Sequence, residues 1–129
     1  TECYMGAEDS ASHAYKGKTP RNKIMFEEGG VAYVYLCYGI HYLFNVVSGE
    51  KGQPQGVMIR GVEGFVGPGK VTKHLVIDKR FYGEDLKTSN SLWLEDDGLV
   101  PKIKRAKRVG IAYAKPFDQD RLWRFIAEY

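Results

Sequence analysis

A chain of 129 residues is long enough to bury one hydrophobic core and too short for two domains. Its apolar fraction of 43% and aromatic fraction of 13% suit a globular protein and exclude a disordered one. The net charge of +3 alone indicates little about partners. No apolar run approaches the length of a membrane span, and no signal peptide is visible. Cys3 and Cys37 fit neither a disulfide framework nor a zinc site, which predicts reduced thiols and an intracellular protein.

Short strands dominate the predicted elements. In chain order, strands are predicted at residues 1–5, 31–36, 41–47, 57–62, 92–94, 109–114 and 123–127. A helical turn capped by Asp9 or Ser10 is predicted at residues 11–15, a short helix at 71–77, and loops at 17–23 and 84–90. These elements predict a single α+β domain over residues 1–129, with a mainly antiparallel sheet and short helices around it.

Basic residues are clustered rather than dispersed. Residues 101–108 read PKIKRAKR, which places five basic residues together without an acid. A second basic group contains Lys16, Lys18, Arg21 and Lys23. Such clusters favour a polyanionic partner, usually a phosphate backbone, although they also occur as ordinary solvated surface.

Arg60 stands in the apolar stretch VMIRGV and needs an anionic partner, since an unpaired buried charge is costly. Glu2 is a candidate for that partner. Two interpretations remain open: a structural salt bridge, or an active-site pair in which arginine keeps the carboxylate ionised so that it deprotonates water.

The stretch VAYVYLCYGIHYLFNVV, residues 31–47, carries four tyrosines around one glycine. It predicts a protruding hairpin with Tyr38 and Gly39 at its tip. A tyrosine at a hairpin tip cannot be fully buried in its own core, so Tyr38 is a candidate wedge that unstacks base pairs. A flipped base needs rings on both sides, and Tyr4, His13 and Tyr35 are candidates. Ordinary core packing is the alternative for each ring.

Several long motifs together resemble the alkyladenine (3-methyladenine) DNA glycosylase family, the monofunctional type without a helix-hairpin-helix. The segments that carry the resemblance are TECYMGAEDSASH, TPRNKIMF, AYVYLCYGIHYLFNVV, VMIRGVE, GPGKVTKHL, LWLE and RVGIAYA. They follow one another in order over nearly the whole chain. Two departures are visible: family members have strands before the residue that matches Glu2, and a longer segment where this chain has only residues 64–66.

The resemblance implies a catalytic role for three positions. Glu2 would be the general base that activates water, and Arg60 and the backbone carbonyl of Val109 would help to hold that water. The implied reaction hydrolyses the N-glycosidic bond of an alkylated or deaminated purine and leaves an abasic site. Neither a metal nor another cofactor is implied, and no strand-nicking lyase activity is expected.

The resemblance also implies the roles of the binding residues. Tyr4 on one side, with His13 and Tyr35 on the other, would sandwich the flipped purine. Tyr38 would intercalate into the duplex, and the Asn45 amide would crowd the 2-amino group of guanine. The implied partner is double-stranded DNA with damaged purines. The implied compartment is the cytoplasm and nucleoid in a bacterium, or the nucleus in a eukaryote. A monomer suits such an enzyme.

Two other functions remain open at this stage. One is a catalytically silent nucleic-acid-binding module that keeps the aromatic hairpin, which the intact Glu2 and Arg60 argue against. The other is a small-molecule or tRNA-related enzyme that shares only the fold. Such an enzyme would have no need of a wedge at Tyr38.

Overall fold

A six-stranded antiparallel sheet organises the chain, as described by a computed structural model of residues 1–128. The strands of this sheet are β1 (Glu2–Tyr4), β2 (Ala32–Cys37), β3 (His41–Val47), β4 (Gly56–Met58), β7 (Lys102–Ala106) and β8 (Arg124–Glu128). Their order across the sheet is β2-β3-β4-β1-β8-β7, and β5 (Gly61–Val62) pairs separately with β6 (Phe65–Val66). The helices are α1 (Pro68–Leu75) and α2 (Pro116–Gln119), with 3-10 turns at Gly6–Glu8, Lys23–Phe26 and Lys79–Phe81. The predicted α+β class is confirmed.

The core lies on both faces of β2 and β3, because successive residues of a strand point to opposite faces. Ala32, Val34 and Phe44 form one buried cluster with Ile77 and Leu86. On the other face, the buried cluster contains Ala14, Met25, Tyr33 and Val47. Because both faces are covered by packed side chains, the β2–β3 hairpin holds the residues near its tip in fixed positions.

The predicted hairpin is confirmed. β2 and β3 pair in antiparallel register up to Cys37 opposite His41. Tyr38 and Gly39 both have positive φ, +51° and +67°, as the tight turn of a twisted hairpin requires. The Ile40 N–H donates to the Cys37 carbonyl across the turn at 3.1 Å. Tyr38 is 93% exposed at the tip.

The predicted strand at residues 57–62 is interrupted at residues 59 and 60, and its two ends belong to different strands, β4 and β5. β4 ends at Met58, and the Ile59 N–H makes a last bond to the Phe44 carbonyl at 2.9 Å. The chain then folds back on itself through β5 and β6, with Gly64 at φ +83° in the connecting turn. Arg60 therefore lies in the link between two sheets, where its side chain is free to point back towards β1.

Two further predicted strands, at residues 92–94 and 109–114, are absent and residues there form loops. Gly110 has φ +75°, which interrupts any extended run, and Ile111 and Ala114 instead pack against Ala11. β7 was missed, because its residues were interpreted only as a basic cluster. It forms the edge of the sheet, where lysines are typical.

The helical predictions were correct in kind but shifted. α1 begins at Pro68, since proline is favoured in the first turn of a helix, and it ends at Leu75 because Val76 adopts the left-handed conformation at φ +56°. Residues 11–15 form consecutive turns instead of a helical turn, and the Asp9 carboxylate accepts the Ala11 N–H at 3.1 Å. Within residues 1–128, no helix is both long and apolar enough to cross a membrane.

Candidate active site

A cavity of about 750 Å³ lies against one face of the neighbouring strands β1 to β4, beside the tip of the β2–β3 hairpin. Seven of the eight side chains or backbone positions predicted from the sequence line it. They are Tyr4, His13, Tyr35, Tyr38, Asn45, Arg60 and Val109. The eighth, Glu2, is completely buried, and its hydrogen-bonding partners are themselves part of the cavity wall. Four segments distant in sequence thus converge on one site.

Two hydrogen bonds and one ion pair hold the Glu2 carboxylate. β1 pairs with β4 so that Glu2 is opposite Met58, two residues before Arg60. The Arg60 Nε lies 3.4 Å from Glu2 Oε1, and the same oxygen accepts the Val109 N–H at 2.8 Å. The Tyr4 hydroxyl donates to Glu2 Oε2 at 2.8 Å. The predicted pairing of Arg60 with Glu2 is thus present, and the carboxylate is held in a fixed orientation.

Val109 contacts the carboxylate through its N–H, whereas the family resemblance implied a role for its carbonyl. Gly110, at φ +75°, turns the chain immediately after this residue, and Val109 itself remains 43% exposed at the cavity. The N–H is a fixed donor to the ionised form of Glu2. Water binding by the Val109 carbonyl stays a prediction.

Tyr4 joins the carboxylate to the aromatic wall. Burial, followed by the nearby Glu2 charge and the hydrogen bond to it, raises the pKa of the Tyr4 phenol far above its usual value. The hydroxyl therefore stays protonated and remains a donor to Glu2 at any physiological pH. The Tyr4 ring lines the cavity, which places a flat apolar surface directly beside the buried charge.

His13 and Tyr35 form a second aromatic surface of the cavity. Their ring centroids are 4.3 Å apart, and His13 Nδ1 lies 3.0 Å from the Tyr33 hydroxyl. Burial, with the Arg21 charge as a smaller cause, lowers the pKa of His13 to about 4. The imidazole is therefore neutral near pH 7. Tyr33 itself is only 1% exposed and belongs to the buried cluster with Met25 and Val47, although it also borders the cavity.

Asn45 lies deep in the cavity, and Tyr38 lies at its rim. Asn45 is 7% exposed, and its Nδ2 donates to the Tyr33 carbonyl at 3.3 Å, which fixes the side-chain amide. Tyr38 belongs to the rim but has almost all of its ring in solvent. A fixed amide thus lies inside the cavity, and a solvent-exposed ring lies at its rim.

Charges around the cavity are mainly positive. Arg21 and Lys70 belong to its lining, and the other members of the first basic group, Lys16, Lys18 and Lys23, are exposed nearby in sequence. In residues 1–128, no group of three or more His, Cys, Asp or Glu side chains could hold a metal ion.

Arg108 is the largest departure from the predicted site. The sequence placed it in the solvated basic cluster, yet its side chain is fully buried and paired with Asp9. The other four basic residues of that cluster are exposed. Tyr113 was also missed: its hydroxyl donates to the Ala11 carbonyl at 2.7 Å, and its ring lines the cavity. Tyr113 lies in the segment predicted as a strand at residues 109–114, and Arg108 ends the run that was interpreted only as a basic cluster, so neither side-chain direction was predicted.

Comparison with known proteins gives a consistent picture. A sequence profile of the methylpurine-DNA glycosylase family matches residues 1–66 and 65–129. A protein of Borrelia garinii subsp. bavariensis named "Putative 3-methyladenine DNA glycosylase" is 46% identical over 138 residues, which cover 97% of this chain and 74% of that protein. A protein of the same name from Desulfitobacterium hafniense is 40% identical over 156 residues, covering 99% of this chain and 76% of that protein.

The alignments with these two relatives, over 138 and 156 residues, are longer than this chain of 129 residues. The relatives thus carry residues within the matched span that this chain lacks. The two parts of the family match meet at residues 65–66, which form β6 of the compact β5–β6 hairpin.

Proposed function

Because the chain belongs to the methylpurine-DNA glycosylase family, we propose that it hydrolyses the N-glycosidic bond of a damaged purine in duplex DNA and leaves an abasic site. The observation that carries the proposal is the buried Glu2 carboxylate, held by Arg60, Tyr4 and Val109 at an aromatic cavity. No lyase step is proposed, and water is the nucleophile.

Glu2 has the geometry of a general base. Its carboxylate offers about four lone-pair sites, and the Tyr4 hydroxyl and the Val109 N–H occupy two of them, which leaves room for a hydrogen bond to a water. Glu2 takes a proton from that water, the water oxygen bonds to C1′, and the electrons of the C1′–N bond leave with the purine. Negative charge near C1′ also stabilises an oxocarbenium-like transition state. Purines alkylated at N3 or N7 are cationic and therefore leave readily.

The aromatic surfaces would bind the extruded base. Stacking on Tyr4, His13 and Tyr35 is sequence-tolerant because every base has a π-face. The neutral state of His13 near pH 7 avoids repulsion of a cationic alkylpurine. Asn45, fixed by its bond to the Tyr33 carbonyl, would crowd the 2-amino group of guanine and so exclude a normal base.

The hairpin tip would open the duplex. Tyr38 is the exposed ring of a turn whose two strands are anchored in the core, and inserted apolar wedges unstack base steps and allow a nucleotide to rotate out. The exposed basic residues would contact phosphates, which position a protein on DNA without specifying sequence. This wedge favours a DNA enzyme over a small-molecule enzyme.

The decisive experiment is single-turnover release of hypoxanthine and of an N-methylated purine from labelled duplexes by the wild type and by Glu2→Gln. Release by the wild type that collapses in Glu2→Gln supports the proposal. Gln at this position presents an amide N–H₂ to one of the existing donors, so thermal unfolding is measured in parallel, because an unsatisfied buried donor costs about 1–3 kcal/mol.

Glu84→Gln is the matched control, since Glu84 is a half-buried carboxylate that does not line the cavity. It should release base at the wild-type rate. Tight duplex binding without release by the wild type would instead identify a catalytically silent binding module.

A further inference from the structure

Arg108 and Asp9 form an ion pair with no exposed side-chain surface on either partner. The Arg108 Nη1 donates to Asp9 Oδ2 at 2.6 Å, and Nη2 donates to Asp9 Oδ1 at 2.9 Å, so that the contact is bidentate. The Asp9 carboxylate also accepts the N–H groups of Met5 and Ala11 at 3.0 and 3.1 Å. The pair thereby fixes the turn that leads from β1 towards His13.

The same guanidinium fixes β1. Its Nη1 donates to the carbonyl of Cys3 at 2.9 Å, and Cys3 is the residue between Glu2 and Tyr4. Its cationic carbon lies 4.8 Å from the centroid of the Tyr4 ring. Arg108 does not line the cavity, whereas Tyr4 does. The guanidinium therefore supports this ring without occupying the space for the base.

The third connection is along the backbone. Arg108 immediately precedes Val109, whose N–H donates to Glu2 Oε1 at 2.8 Å. Nη2 also donates to the carbonyl of Asp118 at 3.2 Å, which anchors the side chain from α2. One buried side chain thus joins the strand that carries Glu2 to the loop that supplies a donor to Glu2.

Stability alone is a poor account of this arrangement. Taking both charges out of water is expensive, and a well-packed neutral pair of similar volume often stabilises a fold as well or better. What apolar side chains cannot provide is a planar fork with donors in fixed directions. What the ion pair supplies and an apolar pair cannot is therefore a set of hydrogen-bond donors in fixed directions.

We propose that the buried Arg108–Asp9 pair positions the carboxylate of Glu2 for the reaction. Neither partner touches the base or the water; both act through Glu2, Tyr4 and Val109. This inference rests on the proposed glycosylase function and adds a positioning role to residues outside the cavity. A misplacement of about 1 Å in such a site costs on the order of 100-fold in rate.

The test is the double variant Arg108→Met with Asp9→Asn, which removes both charges at similar volume. Three quantities are measured on the whole chain: thermal unfolding, the affinity for a duplex with a stable abasic-site analogue, and the saturating single-turnover rate of hypoxanthine release. The inference predicts cooperative unfolding, an unchanged affinity and a rate lowered about 100-fold. A merely structural pair predicts no selective loss of rate.

Arg121→Met is the matched control. Arg121 also pairs with a carboxylate, that of Asp118, and also lies over the ring of Trp123, but it contacts neither β1 nor the loop at Val109. Its rate should equal that of the wild type. Equal losses of rate in Arg121→Met and in the double variant would overturn the positioning role.

Arg108→Lys keeps the test decisive where the double variant fails to fold. Lysine retains the charge and can reach Asp9, but a single ammonium cannot reproduce the fork that also binds the carbonyls of Cys3 and Asp118. We expect a folded protein with a reduced rate. A wild-type rate in Arg108→Lys or in the double variant overturns the inference alone, whereas a wild type that releases no base overturns the proposed function with it.

Discussion

Replacing Tyr38 with asparagine separates the stability of the fold from its action on duplex DNA. Tyr38 has φ +51° and a ring that is 93% exposed, so the fold gains almost nothing from burying it. A bulky residue in the left-handed region costs about 1–2 kcal/mol, and asparagine tolerates that conformation. We therefore expect Tyr38→Asn to leave the free energy of unfolding unchanged or to raise it by up to about 1 kcal/mol.

The effect on activity should have the opposite sign. An aromatic ring that stacks on a base is worth about 1–3 kcal/mol by truncation. At 1.4 kcal/mol per tenfold, loss of the wedge should lower single-turnover release from duplex DNA by about 5- to 150-fold. Single-stranded substrate needs no unstacking of a partner, and its release should fall much less.

The assay compares wild type, Tyr38→Asn and Tyr38→Ala on the same lesion in duplex and single-stranded DNA, together with chemical unfolding of each protein. Tyr38→Ala keeps the backbone strain and serves as the control for conformation. Equal losses on both substrates would refute the wedge. A marked loss of stability in Tyr38→Asn would refute the claim that the ring has no structural role.

Three further predictions concern pH, salt and specificity. The pKa of His13 is about 4 in the folded state and 6.5 in the unfolded state, so the unfolded state binds more protons between these two values. The free energy of unfolding should therefore fall as the pH drops through that window, by at most about 1.4 kcal/mol per pH unit. His13→Gln should remove this dependence on pH when unfolding is measured by urea titration. The affinity for duplex DNA should fall steeply with salt, and the logarithm of the binding constant should change with the logarithm of the salt concentration by about −0.9 per phosphate contacted. An affinity that does not change with salt in a filter-binding titration would show that the basic clusters do not contact the DNA. Asn45→Ser, which shortens the side chain, should permit measurable release of unmodified guanine, and a variant that still spares guanine would contradict the exclusion role.

The β2–β3 hairpin shows what local sequence can determine. Alternating β-branched and aromatic residues around a single Gly39 define the strands and the turn within a few positions, because period and turn chemistry are local properties. The exposure of Tyr38 follows from its place at the tip. The pairing of Glu2 with Arg60 was also predictable, since a charge among apolar neighbours needs a partner.

Residues 101–114 show where that reasoning fails. Lys102 to Ala106 form an edge strand and Arg108 is buried, although one basic run contains both. Composition cannot separate these fates, because burial of Arg108 depends on Asp9, almost one hundred positions away in the chain. The local pattern also predicted a strand at residues 109–114, where Gly110 instead turns the chain and the Val109 N–H donates to Glu2.

The sequence by itself thus determined the fold class and the aromatic hairpin, since these depend on side-chain chemistry and local periodicity. The residues around the cavity were expected from chemistry in part, but Asn45 and Val109 only from the resemblance of the motifs to a known family. Only the tertiary structure decided which donors contact Glu2, and that the buried Arg108 packs next to them outside the cavity. The physical reason is that a buried charge is stable only where distant segments converge to satisfy it, and that convergence is a property of the sheet order, with β1 between β4 and β8.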